Sequence, residues 1–281
     1  MRVAELMSTD LVVVRPEETL EGAIVLMDRH AIHHLLIVDH GRCVGVLSDR
    51  DLLETTGWST RRARELPADS SIVRDVMSAS LETTTPDDDV ASACLSLVER
   101  RVGCLPVLAG DGRLVGILSE RDLLRHYQRA RREVGHDELL DPPLSRVMSR
   151  NPISLDAGHR VREAFDECRR DRVRHLCVTF DGWFVGLVSE RDLRQCIGRG
   201  EAELRKLGDI MVKDVISLAP DSRLSQAVET MLLYRISAIP VLSARKLEGL
   251  VSSSNVLSRL ARFLEGDATS SAHDASRAGP G

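Results

Sequence analysis

Four serines in this chain each stand three residues ahead of an acid or an amide, in near-identical surroundings. The stretches are GVLSDRD at 45–51, GILSERD at 116–122, GLVSERD at 186–192 and GLVSSSN at 249–255. The pairs are Ser48 with Asp51, Ser119 with Asp122, Ser189 with Asp192, and Ser252 with Asn255. At a helix start, residues i and i+3 lie on one side. A hydroxyl and a carboxylate so placed can hold two neighbouring hydroxyl groups of a bound molecule. The same spacing is close to a capping box, in which the serine caps its own helix and the acid serves the first turn. In the fourth copy Asn255 carries no charge, so any site built on it is the weaker one.

The elements that must position these pairs recur with them. Met7, Met77, Met148 and Met211 open four repeats at intervals of roughly 63–71 residues. Each is followed by a short β-like run, LVVVRP, LETTTP, PISLDA or VISLAP. A helix comes next, with one apolar face at i, i+3, i+4 and i+7. These faces are Leu20, Ala23, Ile24 and Met27; Val90, Ala93, Cys94 and Leu97; Val161, Ala164, Phe165 and Cys168; and Leu224, Ala227, Val228 and Met231. Two apolar strands joined by a short break then read as a hairpin, and a second helix begins at the serine. Each unit is therefore β-α-β-β-α, an α+β fold. Units of this size are marginal alone and should pack in pairs. The expected boundaries are 1–57, 72–128, 143–198 and 207–264, with a disordered tail over 265–281 that is rich in Ser, Ala, Gly and Asp.

Composition narrows the function classes. The 281 residues carry a formal charge of -5 and only 3% aromatics, which disfavours nucleic acid as a partner. The N-terminal stretch lacks the apolar run of a secretory signal, and no run approaches a membrane span. The six cysteines form no C-x-x-C pair and read as mostly buried thiols, so a cytoplasmic setting is expected. No Walker loop, nucleophile–histidine set or metal-ligand cluster is evident, so neither an enzyme nor a metal site is expected.

The four βαββα repeats, each ending in Gly-x-x-Ser-x-x-Asp/Asn, resemble CBS domains over about residues 1–264. The resemblance implies two tandem pairs, called Bateman modules, similar to bacterial stand-alone CBS proteins and to the gamma subunit of AMP-activated protein kinase. Four units in one chain can close into a disc, or two chains can stack as a homodimer. The resemblance further implies an adenosine-containing ligand, AMP, ADP or ATP, bound in clefts between paired units as a regulatory ligand rather than an obligatory cofactor. The Ser/Asp and Ser/Asn pairs would hold its ribose. Ile32, Val102, Val173 and Ile236 would form the adenine slots.

Phosphates need positive charge, and here the units alternate. His33 and His34 in unit one and Arg174 and His175 in unit three face Gly103-Cys104 and Ser237-Ala238 in units two and four. The basic residues are expected to meet phosphates, with the small residues leaving room. Because histidine titrates near pH 6.5, phosphate binding by the first pair is expected to weaken from pH 6 to 8. Arg50, Arg121 and Arg191 are expected to pair with nearby acids or solvate, with contact to a neighbouring module as the alternative. The leading reading is a non-catalytic regulator that relays nucleotide binding to an effector protein the sequence does not name. The alternative is a ligand-free structural or partner-docking module.

Overall fold

The computed structural model describes residues 1–67, 71–134 and 138–277, the side chains beyond residue 266 aside. The linker positions 68–70 and 135–137 and the last four residues lie outside these. Unit one holds β1 (Val13–Val14), α1 (Leu20–His30), β2 (His34–Asp39), β3 (Arg42–Ser48) and α2 (Asp49–Thr56). After it, α3 (Thr60–Glu65) folds back on α1, and α4 (Val73–Val76) leads onward. Unit two holds α5 (Val90–Arg100), β4 (Cys104–Leu108), β5 (Leu114–Ser119) and α6 (Glu120–Val134). Unit three holds β6 (Ser149–Arg150), β7 (Ser154–Asp156), α7 (Val161–Arg170), β8 (His175–Phe180), β9 (Trp183–Ser189) and α8 (Glu190–Gly198). Unit four holds α9 (Leu207–Ile210), α10 (Leu224–Tyr234), β10 (Ala238–Ser243), β11 (Lys246–Ser252) and α11 (Ser253–Arg277). The first strand shrinks to a single bridge in units two and four, Thr84 to Val107 and Leu218 to Val241.

The sixteen apolar residues expected on the four first helices are all buried. Thr19 and Asp89 cap two of these helices, their side-chain oxygens accepting from the amides of Gly22 and Ala91. The expected hairpins form with matching registers, each bulged at the same place. In the two-residue turns His40-Gly41 and Asp181-Gly182 both residues have positive φ, which glycine adopts without strain. Helical backbone runs on to Arg277, through most of the stretch expected as a tail.

The opening methionines depart from the simple repeat picture, because each docks on the other unit of its pair. The Ser8 amide donates to the Ile117 carbonyl at 2.9 Å, and the Ser78 amide to that of Val46 at 2.9 Å. The second pair repeats the exchange: β6 joins β11, and the Val212 amide donates to the Leu187 carbonyl at 3.0 Å. The motif glycines make this possible. A Cβ on Gly45, Gly116, Gly186 or Gly249 would stand 2.4–2.8 Å from the sulfur of Met77, Met7, Met211 or Met148. The glycine that opens each motif is thus the seat of the partner unit's methionine.

The two modules also meet. Units two and four share one core, in which α5 and α6 pack on α11 and α10 around Leu97, Tyr127, Met231, Leu257 and Leu260. Units one and three keep separate cores and touch through α2 and α8. The chain therefore closes into a ring in the order one, two, four, three, and the motif helices begin near its middle.

Candidate functional site

The motif pairs sit where β3, β5, β9 and β11 pass into α2, α6, α8 and α11. In the first three copies the serine hydroxyl donates to Oδ2 of the aspartate, at 2.6 Å for Asp51, 2.5 Å for Asp122 and 2.6 Å for Asp192. The serine amide donates to the same oxygen at 2.8–3.0 Å. The capping reading is thus realised, but it uses one carboxylate oxygen. The other, Oδ1, is left to accept from a ligand, with Arg125 lying 3.5 Å from that of Asp122. In the fourth copy Oδ1 of Asn255 takes both serine bonds, at 2.8 and 2.9 Å. What remains there is an amide NH2, a donor where the other copies offer an acceptor.

Two cavities border the middle of the ring. One, of about 390 Å³, joins Leu11, Val12 and Ile32 of unit one to Ser119 and Asp122 of unit two. The other, of about 490 Å³, joins Val215, Ile216 and Ile236 of unit four to Ser189 and Asp192 of unit three. Each combines the apolar slot of one unit with the motif of its partner, because the exchanged opening segments carry slot residues across the pair. Of the expected site residues, Ile32, His33, His34, Ser119 and Asp122 come together in the first cavity, Arg174, His175, Ser189 and Asp192 in the second, and Ile236 lines both. Ser48, Asp51, Val102, Val173, Ser252 and Asn255 line neither. Val102 and Val173 pack instead against the cores of their own units.

Between the cavities lies a charged cluster. Asp49, 4% exposed, has its Oδ2 2.8 Å from Nδ1 of His33 and pairs with Arg191 of unit three. Burial pushes its pKa up, but the His33 hydrogen bond and the Arg191 charge more than offset this and hold it below the ordinary value. Arg174 pairs with Glu120 at 2.7 Å and donates to the Arg101 carbonyl at 2.5 Å, tying unit three to unit two. Arg194 pairs with Glu190 at 2.7 Å and with Glu54 of unit one.

One expectation is corrected by this geometry. The small residues opposite the basic ones leave room for imidazoles rather than for phosphate. A Cβ on Gly103 would stand 2.5 Å from Nε2 of His34, and Nε2 of His175 lies 3.1 Å from the Ser237 hydroxyl. Burial, with smaller effects from charged neighbours, lowers the pKa of His34 to about 4 and that of His175 to about 3. Both rings are then neutral throughout pH 6–8, so neither can weaken phosphate binding by titrating in that window. Of the motif arginines, Arg191 does pair with an acid, Asp49 of the other module, whereas Arg50 and Arg121 take part in no ion pair among the described residues. Arg50 and Arg191 line both cavities, and Arg121 lines the first. The signal was an arginine at the same motif position in three of four copies, which helix capping does not require.

A family model described as CBS domain matches residues 3–56, 73–129, 144–199 and 207–262. The chain is 23% identical over 280 residues to the uncharacterised Methanocaldococcus jannaschii protein MJ1225, covering 92% of this chain and 97% of that one. It is 28% identical over 291 residues to a 33.4 kDa protein from the ribosomal RNA operon of Thermofilum pendens, covering 93% of each. A second M. jannaschii protein, MJ1404, is 23% identical across 94% of this chain but 63% of its own length. The crystal structure of MJ1225 superposes with a TM-score of 0.73 at 21% identity, over 92% of this chain and 99% of that one.

Proposed function

The chain belongs to the CBS-domain family, with four CBS domains, and we propose that it is a non-catalytic regulator that binds adenine nucleotides (AMP, ADP or ATP) in its two central clefts. The observation that carries this reading is the make-up of each cavity. An aliphatic slot from one unit suits a purine, a capped aspartate with a spare oxygen from the partner suits a ribose diol, and arginines at the ring's middle suit phosphates. Asp122 and Asp192 are the ribose carboxylates, Ile32 and Ile236 line the base, and Arg50 and Arg191 stand toward the phosphates beside His33 and Arg174, with His34 and His175 packed behind them as neutral rings. Ser48 with Asp51 and Ser252 with Asn255 serve chiefly as helix caps. A nucleotide alters the ring only so far as it binds one arrangement better than another, and that difference is what an effector protein would sense.

The test is a thermal-shift series on the intact chain with AMP, ADP and ATP. A ligand at about 100 times its Kd adds roughly 2.7 kcal/mol. Asp122→Ala and Asp192→Ala are each expected to remove about 1.5–3 kcal/mol of binding at one cleft, whereas Asp51→Ala leaves affinity unchanged. No shift with any nucleotide would leave the docking-module reading. That reading draws support from Phe180 and Trp183, cross-strand neighbours that are 59% and 60% exposed at the tip of the β8–β9 hairpin.

A further inference from the structure

The chain has seven methionines, and their settings differ. Met27 and Met231 are sealed in α1 and α10, 1% and 2% exposed, and Met1 stands 49% exposed at the chain's start. Met7, Met77, Met148 and Met211 are alike and unlike the rest. Each is partly exposed, and each packs against the core of the other unit of its pair. Its sulfur lies on the motif glycine of that unit, where even a Cβ would stand only 2.4–2.8 Å away. In three of the four seats the other near group is a backbone carbonyl, of Ser8, Ser149 or Val212, which accepts hydrogen bonds and donates none. The bonds that join the two units start beside these seats, at the amides of Ser8, Ser78 and Val212 and in the pairing of β6 with β11.

We propose that these four methionines are sites of reversible sulfoxidation, at which a hydroperoxide loosens the pairing of units within each module. The sulfur attacks one oxygen of hydrogen peroxide, the O–O bond breaks, and the transferred oxygen gives its proton to the departing hydroxide. The thioether is oxidised by two electrons to a sulfoxide, and the peroxide is reduced to water. The product no longer fits its seat. It is polar where the thioether was apolar, and its new oxygen is an acceptor set beside carbonyls that have nothing to donate. A close-packed seat that would reject a Cβ has no more space for an oxygen on the sulfur. The sulfoxide therefore turns out to water and draws the opening segment with it. Leu11 and Val12 follow Met7, and Val215 and Ile216 follow Met211, so the aliphatic slots of both cavities open together. Met27 and Met231 take no part, because their side chains are shut from solvent. Sulfoxide reductases exist for each sulfoxide epimer, so the change can be undone. The proposal does not rest on the nucleotide reading.

Hydrogen peroxide treatment of the intact chain, followed by peptide mass mapping and melting curves, tests this. Sulfoxide is expected at the four seats, and at the exposed Met1, before it reaches Met27 or Met231. The melting temperature should fall by at least about 2 °C. The six cysteines also oxidise, and reversal separates the two effects. Dithiothreitol alone, which reduces sulfenic acids and disulfides, should leave the loss in place. Dithiothreitol with both methionine sulfoxide reductases should restore the untreated melt. Met7→Leu, Met77→Leu, Met148→Leu and Met211→Leu nearly conserve volume. Each alone should remove part of the loss, which keeps the comparison open if the fourfold variant does not fold. The proposal is overturned by seats that stay unoxidised or oxidise only together with Met27 and Met231. It is equally overturned by a melt that oxidised seats leave unchanged, by recovery with dithiothreitol alone, by a loss the reductases do not reverse, or by a loss undiminished in the leucine variants.

Discussion

The ring has two seams between its modules, and they are built from opposite materials. Where unit two meets unit four, helices interlock in one continuous core, with Leu257, Leu260 and Ala261 of α11 fully buried against α5. Where unit one meets unit three, the two cores stay apart. Gly198 brings α8 onto α2 so closely that a Cβ there would stand 2.2 Å from the Leu53 carbonyl and 2.5 Å from the Gly57 amide. The rest of that seam is polar. Arg62 donates to the carbonyls of Gly198 and Arg199, at 2.5 and 2.7 Å, and Arg194 and Arg191 reach Glu54 and Asp49. Apolar burial holds across ionic strength and tolerates little slippage, whereas ion pairs weaken with salt and can be exchanged for a ligand's charges. The apolar seam is therefore the fixed side of the ring and the polar seam the adjustable one.

The largest expected break is on the fixed side. Leu260→Ala should cost about 2–5 kcal/mol and lower the melting temperature of units two and four together, since they share the core. Gly198→Ala comes next, at about 1–3 kcal/mol, because the new methyl meets backbone that cannot rotate away. Amide exchange should then speed up in α2 and α8 while α5 and α11 stay protected; uniform loss of protection would erase the contrast between the seams.

Acid should act on the same half of the ring. His34 and His175 stand neutral in the folded chain, with pKa values of about 4 and about 3 among Asp49, Arg50 and Arg174. Between those values and the ordinary 6.5 the unfolded chain binds protons that the folded one does not, so stability falls as pH drops from about 6.5 toward 4. Asp49, depressed below 3.8, keeps its contribution above that pH and loses it only further down. Melting curves from pH 4 to 8 should slope accordingly, and His34→Gln should flatten them. The smallest effect is expected from Arg194→Ala. Its pairs with Glu54 and Glu190 involve partly exposed side chains, so about 1 kcal/mol or less is lost with each. High salt should abolish even that difference.

Much of the fold could be read from the residues, because each helix and hairpin is specified by contacts inside its own unit. The period of Leu20, Ala23, Ile24 and Met27 can be satisfied only by a helix on its own sheet. The docking of the opening segments could not be read. Met7 fits beneath a motif glycine, but the chain offers several equivalent glycines, and a repeat pattern cannot say which is used. The site was half legible for the same reason. Ser119, Asp122 and Ile32 carry their own signals, yet only the exchange between units puts the slot of one opposite the motif of the other. The worth of Arg50 and Arg191 was hidden because it depends on ring closure, a relation among four units rather than within one.

The exchanged segments also order events during synthesis. Met7 leaves the ribosome well ahead of its seat at Gly116, which follows roughly 110 residues later, a wait of several seconds or more at about 5–20 residues per second. Residues 144–150 wait in the same way for β11. Unit one, by contrast, receives Met77 soon after its own hairpin is complete. The nascent chain therefore carries an unseated apolar end twice, once per module, and each module closes only when its second unit is finished. A module cut between its units would lose a segment from both halves, so the pair, not the repeat, is the smallest piece of this chain that can fold whole.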